Sequence, residues 1–378
     1  MNILMLNYEF PPIGGGAGQA HLSILKKYAN NSDLKVDVLT SAHIPGFFAE
    51  ALADNVHIYK VGVHKKNLHH WRKMEVIEWL AKSRSYYRAL LWDNHYDLVH
   101  AFFGFPTGWL CYRTADKLPY IISLRGSDVP GQHARLQLEY KLLAPLFRKI
   151  WKRAASLLAC SEGLKARALR FFPSVDINVI PNGVDLDKFS PAGGRTLKNK
   201  TLNLLTVGRL SVTKRVEMLI DAVEILYKAG FKVHFRIVGG GKMTENFRNI
   251  VFEKNLADIV EITGRIDAEK MPDIYRQSDI FISASAQEGM SNAMLEAMAS
   301  GLPIVTTRCE GVEELITDNG IVVEQADADA IAQATRTLAQ DGAMYDSMRA
   351  AARKQAEKFG WQSVADQYIE LYKRIRQK

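Results

Sequence analysis

The chain has 378 residues, 47% of them hydrophobic and 24% charged, with 49 basic and 41 acidic side chains giving a formal net charge of +8. That length is too great for one ordinary hydrophobic core and suits two domains, and the mixed composition excludes a disordered chain. Cys111, Cys160 and Cys309 stand far apart without metal-ligand spacing, which argues against a disulfide framework or a zinc site, and the positive excess favours anionic partners without choosing among phosphorylated sugars, acidic lipid and nucleic acid.

The opening MNILMLNYEFPP has a short apolar run and no cationic leader, so it reads as a first strand over Ile3 to Asn7 and not as a signal peptide. No stretch approaches the roughly 18 to 20 apolar residues that cross a bilayer, and a cytoplasmic protein is expected. Pro11 to Gly18 then leads into a helix-like segment from about Gln19 to Ala29. Glycines there let a backbone approach a ligand, and a helix N-terminus offers amides to an anion. A merely tight turn is the plain alternative. The GxGxxG spacing is absent and no acidic residue closes the second strand, Val36 to Thr40, which disfavours a nicotinamide cofactor.

Next comes a basic stretch, His64, Lys65, Lys66, His69, His70, Trp71, Arg72 and Lys73, ahead of an amphipathic segment. Cations beside tryptophan suit an anionic membrane surface, although a helix packed on its own sheet with a solvated basic end accounts for them equally. A second cluster, Arg148, Lys149, Trp151, Lys152 and Arg153, inclines the reading toward peripheral contact with the inner face of a membrane. Further strands are expected at Leu98 to Phe102, Tyr120 to Leu124, Leu157 to Cys160 and Ile177 to Ile180. The segment Ser123 to Asp128 ends one of them: Asp128 can bind hydroxyls and Arg125 can meet phosphate or acceptor, or the two are a helix cap and a surface arginine.

The polar stretch Ser190 to Thr201 interrupts the alternation and is read as the linker, giving domains over 1–190 and 191–361. The alternation restarts with Leu202 to Val207, Val233 to Val238, Val260 to Thr263, Ile280 to Ser283, Ile304 to Thr306 and Ile321 to Val323. A last helix, about 362–378, with Val364, Tyr368, Leu371 and Ile375 at helical spacing, can cap either domain. The fold class is therefore α/β: two tandem doubly wound, Rossmann-like domains, with ligands expected beyond the carboxyl ends of the strands and in the cleft between the domains.

In the second half, Arg209 and Lys214 follow the first strand. A guanidinium fork and an ammonium there can neutralise a diphosphate leaving group without a metal ion, or they are a solvated surface pair. Ser285 to Ser300 holds Glu288 and Glu296 eight residues apart, with Gly289 in the turn and a helix from about Asn292. Amides near Ser291, Asn292 and Ala293 would face an anion, and a carboxylate further down can accept from a diol such as ribose.

Read together, the segments NYEFPPIGGGAGQ, CSEGLK, VIPNGVDLDKFSP, VGRLSVTKR, VGGG, TGRI and EGMSNAMLEAMASGLPIV resemble, in order and spacing, the retaining glycosyltransferases of family 4, which have the GT-B fold. The resemblance implies that Arg209 and Lys214 hold the donor diphosphate, that Glu296 binds the nucleotide ribose, and that Glu288, the first glutamate of the E-x7-E motif, lies close to the transferred sugar. It also puts Gly15, Gly16, Gly239, Arg265, Gly289, Met290, Ser291 and Asn292 on the donor side, Gly14 on the acceptor side, and Asp128 among the catalytic residues. One departure stands out. Many members have His-Gly-x-Asp near the reacting sugar, whereas this chain has Arg125, Gly126, Ser127 and Asp128, so that a histidine contact would have to come from His100 or His133 and Arg125 is left to the acceptor.

The implied activity is a metal-independent, retaining hexosyl transfer without a cofactor. The donor is a nucleotide diphosphate sugar, UDP ahead of GDP, and the acceptor a hydroxyl of a glycan or lipid-linked glycan in cell-envelope polysaccharide synthesis. Front-face substitution is the favoured mechanism over a covalent sugar on Glu288. Nucleic acid is not an expected partner. A GT-B epimerase or phosphorylase, or a non-catalytic sugar- or nucleic-acid-binding protein, would share the architecture or the charge; no phosphorylase cofactor-lysine motif is identifiable, and Arg209, Lys214, Glu288 and Glu296 speak against a non-catalytic protein.

Overall fold

The computed structural model describes residues 1–29, 31–68, 70–131, 137–193, 197 and 201–377. Their contacts form two compact units, Met1–Asn182 with Trp361–Lys378, and Gly183–Gly360. In the first, the described strands are β1 (Asn2–Leu6), β2 (Lys35–Ala42), β3 (Phe47–Ala53), β4 (Val56–Gly62), β5 (Leu98–Phe102), β6 (Tyr120–Ser123), β7 (Ser156–Ala159) and β8 (Ile177–Val179), in the order β3-β4-β2-β1-β5-β6-β7-β8. Strand β1 pairs in parallel with β2 on one side and β5 on the other, so the strand order reverses there. The central strands are buried on both faces, as a parallel sheet clad by helices requires, and this is why they read as near-continuous apolar runs.

The β3–β4 hairpin is absent from the sequence reading. Its outer strand, FFAEALA, is exposed almost throughout and rich in alanine, so neither alternation nor β-propensity announces it; antiparallel pairing with β4, itself parallel to β2, holds it in place. The expected linker is also differently placed. The contact boundary falls at Asn182/Gly183, because Pro191 packs on Gly301 and Arg349 donates to the Ala192 carbonyl at 3.1 Å within the second unit.

In the second unit, β9 (Leu202–Val207), β10 (Val233–Val238), β11 (Val260–Gly264), β12 (Ile280–Ser283), β13 (Ile304–Thr307) and β14 (Gly320–Val323) form a parallel sheet in the order β11-β10-β9-β12-β13-β14. Its order reverses between β9 and β12. Beneath the helices Leu204, Ile220, Phe235, Ile237, Ile282 and Val305 share one core.

The final helix, Trp361–Arg376, belongs to the first unit, where it packs on the helix Gly16–Tyr28. Val364, Tyr368, Leu371 and Ile375 are all buried, and a polar chain runs beneath them. Tyr28 Oη donates to Tyr372 Oη at 3.2 Å, Tyr372 Oη lies 2.6 Å from His100 Nδ1, and His100 Nε2 lies 2.8 Å from Ser123 Oγ. Removing one member strands a buried polar atom, which costs about 1 to 3 kcal/mol. Tyr372→Phe should therefore lower the stability of the first unit by that amount in urea unfolding; an unchanged midpoint would show that this chain carries no stability.

Candidate active site

The second unit's site is built on glycines that permit backbone contact. A Cβ on Gly239 would lie 1.9 Å from the Gly208 carbonyl oxygen, and one on Gly241 would lie 2.1 Å from that of Leu210. The loops after β9 and β10 are thus stacked main chain on main chain, with Gly208 N donating to Val238 O at 2.9 Å. Arg209 projects from this stack and is exposed. Lys214 ends the 3-10 turn Val212–Lys214 and lies back across Gly208, where a Cβ would sit 3.2 Å from its Cε.

From there Lys214 Nζ forms an ion pair with Glu288 Oε1, which also accepts from Ser285 Oγ at 3.1 Å. Ala286 N donates to Thr213 O at 2.8 Å, so the loops after β9 and β12 are joined by backbone and by charge. These are the two strands between which the order reverses, where open α/β sheets bind ligands. Arg265, just after β11, rests against Gly240. Burial and the neighbouring Arg209 cation hold its guanidinium below the ordinary range. Neither arginine forms an ion pair with a described residue, so two like charges face a place suited to an anion.

The helix Asn292–Ala299 opens with Ser291, whose Oγ accepts from Met294 N at 3.3 Å, and its amino end follows Gly289 and Met290 in the loop after β12. Glu296, within that helix, accepts from Tyr275 Oη at 2.8 Å. Burial pushes its carboxyl up to about 7, against the pull of the Tyr275 bond and the Lys188 charge. Glu288 is in the loop and Glu296 in the helix, each with its own partner.

In the first unit several expected residues have other work. Gly14, at φ +92°, and Gly18 make room for the chain's own Glu9: added Cβ atoms would lie 2.7 Å from Glu9 Cβ and 3.0 Å from Glu9 O. Gly15 and Gly16 open the helix Gly16–Tyr28. The Asp128 oxygens accept from Gly104 N at 2.7 Å and Arg125 N at 2.9 Å, clamping the loops after β5 and β6, and burial pushes the carboxyl up. Arg125 is no surface cation. It donates to Asn182 Oδ1 at 2.9 Å and Tyr368 Oη at 3.2 Å and lies 4.3 Å over the Phe102 ring.

His100 does not face an acceptor: it is fully buried with both ring nitrogens engaged, and burial drives its pKa well down. His133 lies outside the described residues, as does His69. The basic stretch at 64–73 is also partly turned inward, since Lys65 pairs with Glu75, donates to the His70 carbonyl and sits 3.8 Å over Trp71. Trp151 is buried as well. Among the described residues no cluster of three or more His, Cys, Asp or Glu could hold a metal ion, and no helix is long and apolar enough to cross a membrane.

A sequence model described as Glycosyltransferase Family 4 matches residues 14–188, and one described as Glycosyl transferases group 1 matches residues 201–341. The chain belongs to glycosyltransferase family 4. A relative of this glycosyltransferase in Escherichia coli K12, a putative colanic acid biosynthesis glycosyltransferase, is 28% identical over 74% of this chain and 71% of its own. Its fold is that of the sucrose-phosphate synthase of Thermosynechococcus elongatus (TM-score 0.82, 20% identity, covering 99% and 98% of the two chains). It is likewise that of Anabaena HepE in complex with UDP-glucose (TM-score 0.73, 19% identity, 99% of each chain). These likenesses establish the GT-B fold.

Sequence reasoning about this glycosyltransferase missed Tyr275, which stands in none of the quoted segments, and gave no role to Glu9 and Lys188, which lie in NYEFPPIGGGAGQ and VIPNGVDLDKFSP. Burial raises the Glu296 carboxyl, and Tyr275 and Lys188 pull it back only in part. Because the folded carboxyl titrates at about 7 and an ordinary glutamate at 4.5, its contribution to stability is full below the lower value and is lost as pH rises through the upper one, about 3 kcal/mol in all. Glu296→Gln should flatten that fall in thermal or urea unfolding followed across this pH window; parallel curves for the two proteins would contradict it.

Proposed function

We propose that the chain is a retaining hexosyltransferase that moves a sugar from a nucleoside diphosphate donor, UDP ahead of GDP, to a hydroxyl of a glycan or lipid-linked glycan in cell-envelope polysaccharide synthesis. One observation carries the reading: Arg209, Arg265 and the Lys214–Glu288 pair gather at the carboxyl ends of the second sheet's strands, around the point where its order reverses. Breaking the glycosidic bond leaves negative charge on the diphosphate. Fixed cations stabilise that charge more in the transition state than before it, and they need no metal ion to do so.

In this mechanism the acceptor hydroxyl attacks from the face on which the nucleotide leaves, its proton passes to a leaving-group oxygen, and the sugar keeps its anomeric configuration. Glu288, fixed by Lys214 and Ser285, supports the positive charge that develops on the transferred sugar. Glu296 as a carboxylate accepts from the ribose diol, while Asp128 and Arg125 keep the loops after β5 and β6 in shape. A uridine donor is supported by the UDP-glucose held by a protein of the same fold, and a polysaccharide product by the colanic acid relative.

Thermal stability measured against UDP, GDP and their sugars tests the donor site, because a ligand that binds only the folded state raises it. One base should give a clear shift that Arg209→Ala abolishes, and no shift with any nucleotide would remove the donor assignment. Glu288→Gln should keep the shift and lower kcat by about a hundredfold or more. Nucleotide affinity should also rise as pH passes upward through about 7 and lose that dependence in Glu296→Gln, since the diol prefers the ionised carboxylate. Product of inverted configuration, or activity abolished by a chelator, would overturn the mechanism.

A further inference from the structure

The helix Gln137–Arg153 presents two unlike faces. Phe147, Ile150 and Trp151 are buried against the first unit. On the opposite side Leu138, Leu142, Pro145, Lys149 and Lys152 recur at intervals of three and four residues and are all exposed, with Lys141 and Arg148 along one flank. Leu138 is 66% and Leu142 69% exposed, a large apolar area to leave in water without a partner.

The outward face is divided along its length, apolar toward the amino end and cationic toward the carboxyl end. Over residues 137–153 the sequence holds five basic residues and one acidic one. Arg148 donates to the Phe171 carbonyl and Arg153 pairs with Asp116, but no described side chain pairs with Lys141, Lys149 or Lys152. Leucines and unpaired lysines on one helix face match a surface that is anionic outside and apolar just beneath. A nucleic acid would meet the lysines and leave the leucines in water.

We propose that this face lies on the surface of an anionic bilayer, with Leu138 and Leu142 entering the acyl boundary and Lys149 and Lys152 among the headgroups. The docking face is therefore on this helix and not on the basic stretch at 64–73, whose Lys65 and Trp71 are packed on each other. The proposal extends the lipid-linked acceptor reading. It would place the chain beside an acceptor confined to the same surface.

The experiment is co-sedimentation of the full chain with vesicles of phosphatidylcholine alone or enriched in phosphatidylglycerol, at low and high salt, with no donor or turnover, so that its failure leaves the transferase reading intact. The unaltered chain should sediment with the anionic vesicles only, and high salt should release much of it. The pair Lys149→Glu with Lys152→Glu, and separately Leu138→Ser with Leu142→Ser, should each lower the partition by about tenfold or more. Unchanged melting and circular dichroism of both variants would show that they fold. The idea fails if the unaltered chain stays in the supernatant, or if either pair binds as well as it does. Loss with the lysine pair alone would mark a charge-only surface and equally overturn it.

Discussion

The Lys214–Glu288 ion pair is the interaction around which the second unit's site is arranged. It is only partly exposed, and an ion pair taken out of water gains little net stability unless its geometry and its remaining hydrogen bonds are good. Ser285 supplies one such bond, and the Ala286 to Thr213 backbone link fixes the spacing of the two loops. What the pair secures is position: a cation is held over Gly208, at the end of β9, before any anion arrives. The missing side chains of Gly208, Gly239 and Gly241 are part of the same construction, because a Cβ at any of them meets either Lys214 or the neighbouring main chain.

The first unit solves a different problem. Phe103 follows β5 at φ +77°, a backbone state that a bulky side chain rarely adopts and that surroundings must hold in place. Its amide donates to Ser123 O, and the next amide, Gly104 N, is taken by Asp128. Arg125 then fastens the loop after β6 to Asn182 and to Tyr368 of the last helix. An arginine at this position has the length and the paired donors to reach two elements at once, which a histidine lacks. Substituting histidine there would thus remove a brace between β6 and the final helix, whatever it did for a bound sugar.

Much of this was legible in the sequence, and the failures share a cause. Buried parallel strands show as short apolar runs between turn residues, so Ile3, Val36, Leu98, Leu204 and Ile282 all fall in strands that were expected. The charged loops were locatable because strand order puts every carboxyl end of a parallel sheet on one side. What could not be read was any property set by a tertiary partner that the local pattern does not announce. His100 looks like a site residue until Tyr372 closes its ring nitrogen, Lys65 looks like a surface cation until Glu75 and Trp71 enclose it, and Glu296 looks like an ordinary carboxylate until burial raises it against the pull of Tyr275.

The two units also differ in where their local conflicts end up. In the first, the unusual groups are answered from within: Glu9 fills the space left by Gly14 and Gly18, and neutral His21 stacks on Phe102 with its pKa driven down to about 3 by burial and the Arg125 charge. In the second, Arg209 and Arg265 repel each other with no described carboxylate between them, and Glu296 is held near neutrality, so part of the conflict is left open. Consistency at every level gives a stable fold, and unresolved conflict is kept where a ligand can resolve it. An anion bridging the two guanidiniums and a diol on an ionised Glu296 would relieve both at once, which is a physical reason for binding to be strongest at the carboxyl ends of β9, β11 and β12.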